Sequence, residues 1–175
     1  MWVRVADIHE AASTVERLGG RAGTPVEYAT GWSLDCRAPG GTRFNLSVPA
    51  AAYDHPPAYG RSHGDLFYTS LPVPDADAGR HFFHELVGWE FDEPGDQGGI
   101  HVANAVTECG LGGGRGGEFP ELFFRVDDLE SARERVEANQ GHVSSEIMEG
   151  PEGRHLMCDD GQGLAFGLTE PAPGY

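Results

Sequence analysis

His81 and His84 stand three residues apart with Glu85 beside them, the spacing of a helical pair of metal ligands. They alternate with Phe82 and Phe83, so they fall on the polar side of that helix, where a solvated face is expected. His9 and Glu10 take corresponding outer positions near the N-terminus. Residues 112–117 satisfy G-x-G-x-x-G, but a dinucleotide fingerprint needs a helix after it. Here an apolar strand pattern, 122–126, follows, and the run reads as a linker. No G-x-S-x-G nucleophile elbow occurs. Cys36, Cys109 and Cys158 are odd in number and form no C-x-x-C pair, so buried thiols are expected rather than disulfides or a zinc knuckle.

Charge narrows the chemistry further. The 175 residues carry 28 Asp plus Glu against 12 basic residues, a formal net charge of −16. All the basic residues are arginine; there is no lysine. Schiff-base chemistry and a Walker-type phosphate loop are thereby excluded. So acidic a chain repels polyanions, and neither nucleic acid nor membrane is an expected partner. With no leader pattern and no apolar run of spanning length, a cytoplasmic location is the expectation.

The elements that position these residues repeat three times. An apolar run ends in Val-x-Asp, an amphipathic stretch follows, and a Gly stands fifteen residues after the Val. The copies are Val5-Ala6-Asp7 with Gly20, Val73-Pro74-Asp75 with Gly88, and Val126-Asp127-Asp128 with Gly141. Each Asp is placed as a helix N-cap, and each Gly as a left-handed C-cap. Gly79, Phe82, Phe83 and Leu86 make one apolar helical face; Ala132 and Val136 begin another. Strand candidates at 31–36 and 43–48 in the first copy match 154–158 and 164–169 in the third, with Cys36 and Cys158 equivalent. Each copy is a βαβββ module, and the fold class is α+β. The expected organisation is a half-module at 1–50, a linker at 51–63 containing Pro56-Pro57, and two modules over 64–171.

The segments 66–75, 82–89, 123–129 and 160–168, in that order, resemble the vicinal oxygen chelate superfamily, which includes glyoxalase I, extradiol dioxygenases and bleomycin- and fosfomycin-resistance proteins. The resemblance covers nearly the whole chain and is nearest to tandem glyoxalase-like proteins. It implies that two modules, over 64–171, form a cup-shaped eight-stranded mixed sheet with outer helices. Module 1 is then one half of a second cup, completed in a homodimer by its counterpart from another copy.

The resemblance also places metal ligands. Their positions fall on Tyr68 and Glu121 in the first strands and on Gly110 and Gly167 in the last strands, with Asn45 in the partial module. One carboxylate does not make a site for a divalent ion, so neither metal nor other cofactor is expected. Strand alternation lines the cup with Tyr68, Ser70, Glu108, Glu121, Phe123, Arg125, Ala165 and Thr169, around slots left open at Gly110 and Gly167. His155, out of phase with Leu156 and Cys158, enters the cup near Glu121 and could form an acid–base couple with it. The first expectation is therefore a metal-independent protein binding a planar organic molecule, a metabolite or antibiotic. The alternatives are a superfamily lyase, isomerase or dioxygenase working through Glu121 and His155, and a structural or regulatory remnant whose truncated first module serves mainly dimerisation.

Overall fold

Three aspartates start three helices. A computed structural model describes residues 1–53, 62–94, 99–114, 116–150 and 152–175; Pro56-Pro57 of the expected linker lies outside them. Asp7, Asp75 and Asp128 are extended, at φ −136°, −124° and −149°, and cap α1 (Ile8–Arg17), α2 (Ala76–Val87) and α3 (Leu129–Ala138). Their carboxylates accept amide hydrogen bonds from His9 and Glu10, from Ala78 and from Ser131. Each helix buries the face that its spacing marks: Ile8, Ala11 and Val15; Gly79, Phe82 and Phe83; Leu129 and Ala132.

The helix ends correct the sequence reading. Only α2 closes as expected, on Gly88 at φ 71°. In α1 the left-handed residue is Gly19 at φ 83°, and after α3 it is Gln140 at φ 68°. Gly20 and Gly141 come one residue later and are glycine for another reason. A Cβ on Gly20 would lie 2.7 Å from the Arg37 carbonyl oxygen, and one on Gly141 would lie 2.7 Å from that of Asp159. Close approach to the backbone at Arg37 and at Asp159, not handedness, fixes both.

The structure is α+β, with two mixed sheets of five and eight strands, as βαβββ modules require. Contacts divide the chain into two compact units. Unit 1 comprises Met1–Pro57 and Ser70–Pro120. Its five-stranded sheet contains β1 (Trp2–Arg4), β2 (Arg21–Ala22), β3 (Val26–Tyr28), β4 (Gly31–Arg37) and β5 (Arg43–Pro49). The order is β1-β5-β4-β2 with β3 also on β4, and β1 runs parallel to β5. The unit also holds the end of β6 (Leu66–Val73), then β7 (Gly99–His101) and β8 (Cys109–Gly113) in the order β6-β8-β7. One core serves both of its modules. Phe44 meets Phe82 and Phe83 edge-on at 5.9 and 5.3 Å, and Phe83 stacks on Trp89 at 5.0 Å. Each such buried ring contributes roughly 1.5–3 kcal/mol by area.

Unit 2 comprises Ala58–Thr69 and Glu121–Tyr175. It holds β9 (Glu121–Arg125), β10 (His142–Val143), β11 (Met148–Gly150), β12 (Gly153–Asp159) and β13 (Ala165–Pro171). Their order is β10-β12-β13-β9, followed by β6, with β11 on β12. Val126, Leu129, Ala132, Leu156, Cys158 and Leu168 form its core.

The repeat extends to strand register. Leu34↔Leu46, Cys36↔Phe44 and Gly31↔Pro49 in unit 1 recur as Leu156↔Leu168, Cys158↔Phe166 and Gly153↔Pro171 in unit 2. Gly31 and Gly153 are both left-handed, at φ 123° and 136°. The acidic residues Asp92, Glu93, Asp127, Asp128, Glu130, Glu134 and Glu137 are all exposed, so much of the negative charge is a solvated shell.

Candidate functional site

Leu168, Phe166 and Phe124 pack toward α3, so alternation turns Phe123, Arg125, Gly167 and Thr169 to the opposite face of unit 2. The parallel pairing of β9 with β13 sets Phe123 beside Gly167 and Arg125 beside Thr169. The antiparallel pairing of β13 with β12 adds His155 opposite Thr169. Arg125, Thr169 and His155 therefore form one row across three strands.

Phe123 is the centre of this face. Its ring meets Tyr68 edge-on at 6.2 Å and His155 edge-on at 6.5 Å. Gly167 provides the room, since a Cβ there would lie 2.1 Å from Phe123 Cδ1. The slot expected to be open at Gly167 is thus filled. Without a side chain at 167, the neighbouring ring folds over the backbone.

Polar groups border the ring. Thr169 is 2% exposed, and its hydroxyl has no hydrogen-bond partner among the described residues. A buried donor left unmade costs about 1–3 kcal/mol. Arg125 Nη1 donates to the Tyr175 carbonyl oxygen at 3.2 Å. The sequence reading missed this contact, because it depends on a turn beyond β13. On the helix side, Arg154 is held by Glu130 and by Glu170 at 2.7–2.8 Å. Those hydrogen bonds push its guanidinium pKa above the ordinary arginine value. Glu130, Glu170 and Asp128 bring carboxylate oxygens within 4.8 Å of one another; Arg154 supplies the opposing charge.

The remaining candidates are dispersed. Ser70 is buried and Glu108 exposed, and both belong to unit 1, where Glu108 lies 3.4 Å from His101 Nε2. Ala165 is exposed at the start of β13 and Glu121 is half-buried at the start of β9. His155 does not sit level with Glu121. It shares a row with Arg125, four residues along β9, which is about 13 Å of strand. Alternation placed both residues on one face; register separates them. His81 is exposed, and His84 Nδ1 lies 2.9 Å from the Trp89 carbonyl, so neither has the setting of a ligand pair. The three thiols are buried, and burial pushes Cys36 and Cys109 up to about 12 and Cys158 upward as well.

No family model and no curated protein sequence matches the chain. Solved structures do match. A catechol 2,3-dioxygenase superposes with TM-score 0.61 at 18% identity, over 99% of this chain and 69% of that one. The 2,3-dioxygenase LapB from Pseudomonas sp. KL28 gives 0.62 at 16% identity, over 99% and 73%. The Mn(II)-bound glyoxalase from Novosphingobium aromaticivorans gives 0.65 at 17%, over 98% of this chain and 62% of that one. The chain has the vicinal oxygen chelate fold. These likenesses establish the fold alone.

Among the positions that the vicinal oxygen chelate resemblance assigns to metal ligands, Tyr68 and Glu121 carry donors, whereas Gly110 and Gly167 carry none. At Gly167 the space of a ligand side chain holds the Phe123 ring instead. A phenol and one carboxylate do not fit a divalent cation, which takes three or more His or carboxylate donors.

Proposed function

We propose that this chain binds a small planar organic molecule, a metabolite or antibiotic, without a metal. The observation that carries the reading is the Phe123 ring lying over Gly167, where a ligand-bearing side chain would project. Phe123 and Tyr68 offer aromatic faces and edges to a flat ligand, contacts worth about 0.5–1.5 kcal/mol each beyond area burial. Arg125, Thr169 and His155 supply a polar row beside them, and Glu121 and Ala165 stand farther back along β9 and β13. An acid–base reaction through Glu121 and His155 is disfavoured by the register between them.

In the same proposal, residues 64–171 act as a two-module domain, and the half-module at 1–50 is completed by a second copy, giving a homodimer. Light scattering showing a folded monomer near the 18.8 kDa chain mass would exclude that part.

The binding reading is tested by thermal shift against planar aromatic metabolites and antibiotics. A ligand at a hundredfold excess over its Kd stabilises by about 2.7 kcal/mol. The expected result is stabilisation that Phe123→Ala abolishes. Stoichiometric Zn, Mn, Fe or Ni in the purified protein, lost on Glu121→Ala, would overturn metal independence.

A further inference from the structure

Arg80, His81 and His84 form a stripe on α2 outside the face that Gly79, Phe82 and Phe83 bury. Gly88 closes the helix in the left-handed region at φ 71°, and the chain turns back. Trp89, Glu90 and Phe91 then line one cleft together with Arg80, His81 and His84. Its volume is about 370 Å³, enough for a small organic molecule. All of these residues belong to unit 1, whereas Phe123 belongs to unit 2.

The wall opposite the helix is held in place. His84 Nδ1 donates to the Trp89 carbonyl at 2.9 Å, which leaves Nε2 as an acceptor in the neutral ring. Asn104 accepts from the Glu90 amide and donates to the Gly88 carbonyl, both at 2.9 Å. The Ala103 amide donates to the Glu90 carbonyl at 2.8 Å. Trp89 stacks on Phe83 and meets Phe91 edge-on at 6.4 Å. A wall so tied is preformed, and a ligand does not have to order it.

Two opposite charges line the cleft without meeting. Arg80 is half-buried, yet it has no carboxylate partner among the described residues, not even Asp77 one turn earlier on α2. Glu90 likewise has no ion-pair partner among them. Arg37, Arg43, Arg133 and Arg154, by contrast, each hold a glutamate at 2.7–3.6 Å. A guanidinium and a carboxylate that share a cleft but do not pair suit a ligand carrying the complementary groups, one carboxylate and one ammonium. The two aromatic side chains beside them suit a ring.

We propose that this cleft binds a free aromatic amino acid, with its carboxylate on Arg80, its ammonium on Glu90 and His84 Nε2, and its ring against Trp89 and Phe91. The inference goes beyond the binding function proposed above and needs neither Phe123 nor the ligand of that site.

The test titrates three probes calorimetrically into the full chain: L-phenylalanine, hydrocinnamate, which lacks the ammonium, and phenethylamine, which lacks the carboxylate. Phenylalanine is expected to bind about tenfold tighter than either, the worth of one hydrogen bond to a charged group. Arg80→Gln is expected to weaken phenylalanine and hydrocinnamate about tenfold and to leave phenethylamine unchanged. Glu90→Gln is expected to weaken phenylalanine and phenethylamine and to spare hydrocinnamate. The probe comparison needs no variant, so it stands even if a substitution unfolds the chain. Equal affinity for the three probes overturns the two-charge site, as does the absence of phenylalanine binding. Phenylalanine binding that survives both substitutions but is lost on Phe123→Ala belongs to the other site and overturns this one.

Discussion

The Phe123 ring occupies the space that a side chain at Gly167 would need: a Cβ there would lie 2.1 Å from Cδ1 and 2.4 Å from Cε1. The two residues are paired across the parallel β9–β13 strands, so a side chain at 167 must displace the ring. Gly167→Ala is expected to displace the ring at a cost of about 1–3 kcal/mol, the range for overpacking a fitted site. In a Phe123→Ala background the same substitution should cost far less. Urea midpoints for the four chains of this cycle measure the coupling. Additive costs would mean that the ring does not depend on the missing side chain.

Three glycines at equivalent places in the repeat should respond differently to alanine. Gly88 is left-handed at φ 71° with nothing within 4 Å of an added Cβ, so Gly88→Ala pays only the left-handed penalty, about 1–2 kcal/mol. Gly20 and Gly141 meet a backbone carbonyl oxygen at 2.7 Å, with Val15 or Val136 close behind. Strand and helix must separate to admit a methyl group. Gly20→Ala and Gly141→Ala are therefore expected to cost more than Gly88→Ala in chemical denaturation. The reverse order would restore handedness as the reason for all three.

Those glycines also mark where the sequence is legible. The Val-x-Asp repeat reveals strand, cap and helix together, because Asp7, Asp75 and Asp128 each act on amides two or three residues away. Alternation correctly separates Val126 and Phe124 from Phe123 and Arg125, since a strand has only two faces. Which residues stand opposite each other is not local. His155 is level with Arg125 rather than Glu121 because three strands fix their register together, and no spacing along one strand carries that information. What fills the Gly167 slot is hidden from the sequence for the same reason. A glycine within a strand signals close approach by something, but only the fold identifies Phe123. The Arg125–Tyr175 contact depends on a turn whose sequence, Pro171 to Tyr175, specifies a bend without a direction.

Two helix caps and one turn carboxylate give stability a pH dependence of known sign. Asp7 accepts from the amides of Glu10 and His9, Asp128 from the hydroxyl and amide of Ser131, and Asp160 from the amides of Leu164 and Gln162. These bonds favour the ionised carboxylate and hold each pKa below its ordinary value of 3.8. A group depressed in the folded state binds its proton more readily when unfolded. Its contribution is therefore fully present above that ordinary value and is lost as pH falls through the folded one. Urea midpoints should accordingly hold on the way down to about pH 4 as far as these three groups govern them, then drop. Asp128→Asn separates the cap from its charge, because the amide oxygen still accepts from Ser131 while nothing titrates. Its midpoint at neutral pH should be lower than that of the parent and its acid limb shallower, so that the two curves converge as the carboxylate protonates. Parallel curves across the acid range would show that the charge at residue 128 does not stabilise the start of α3.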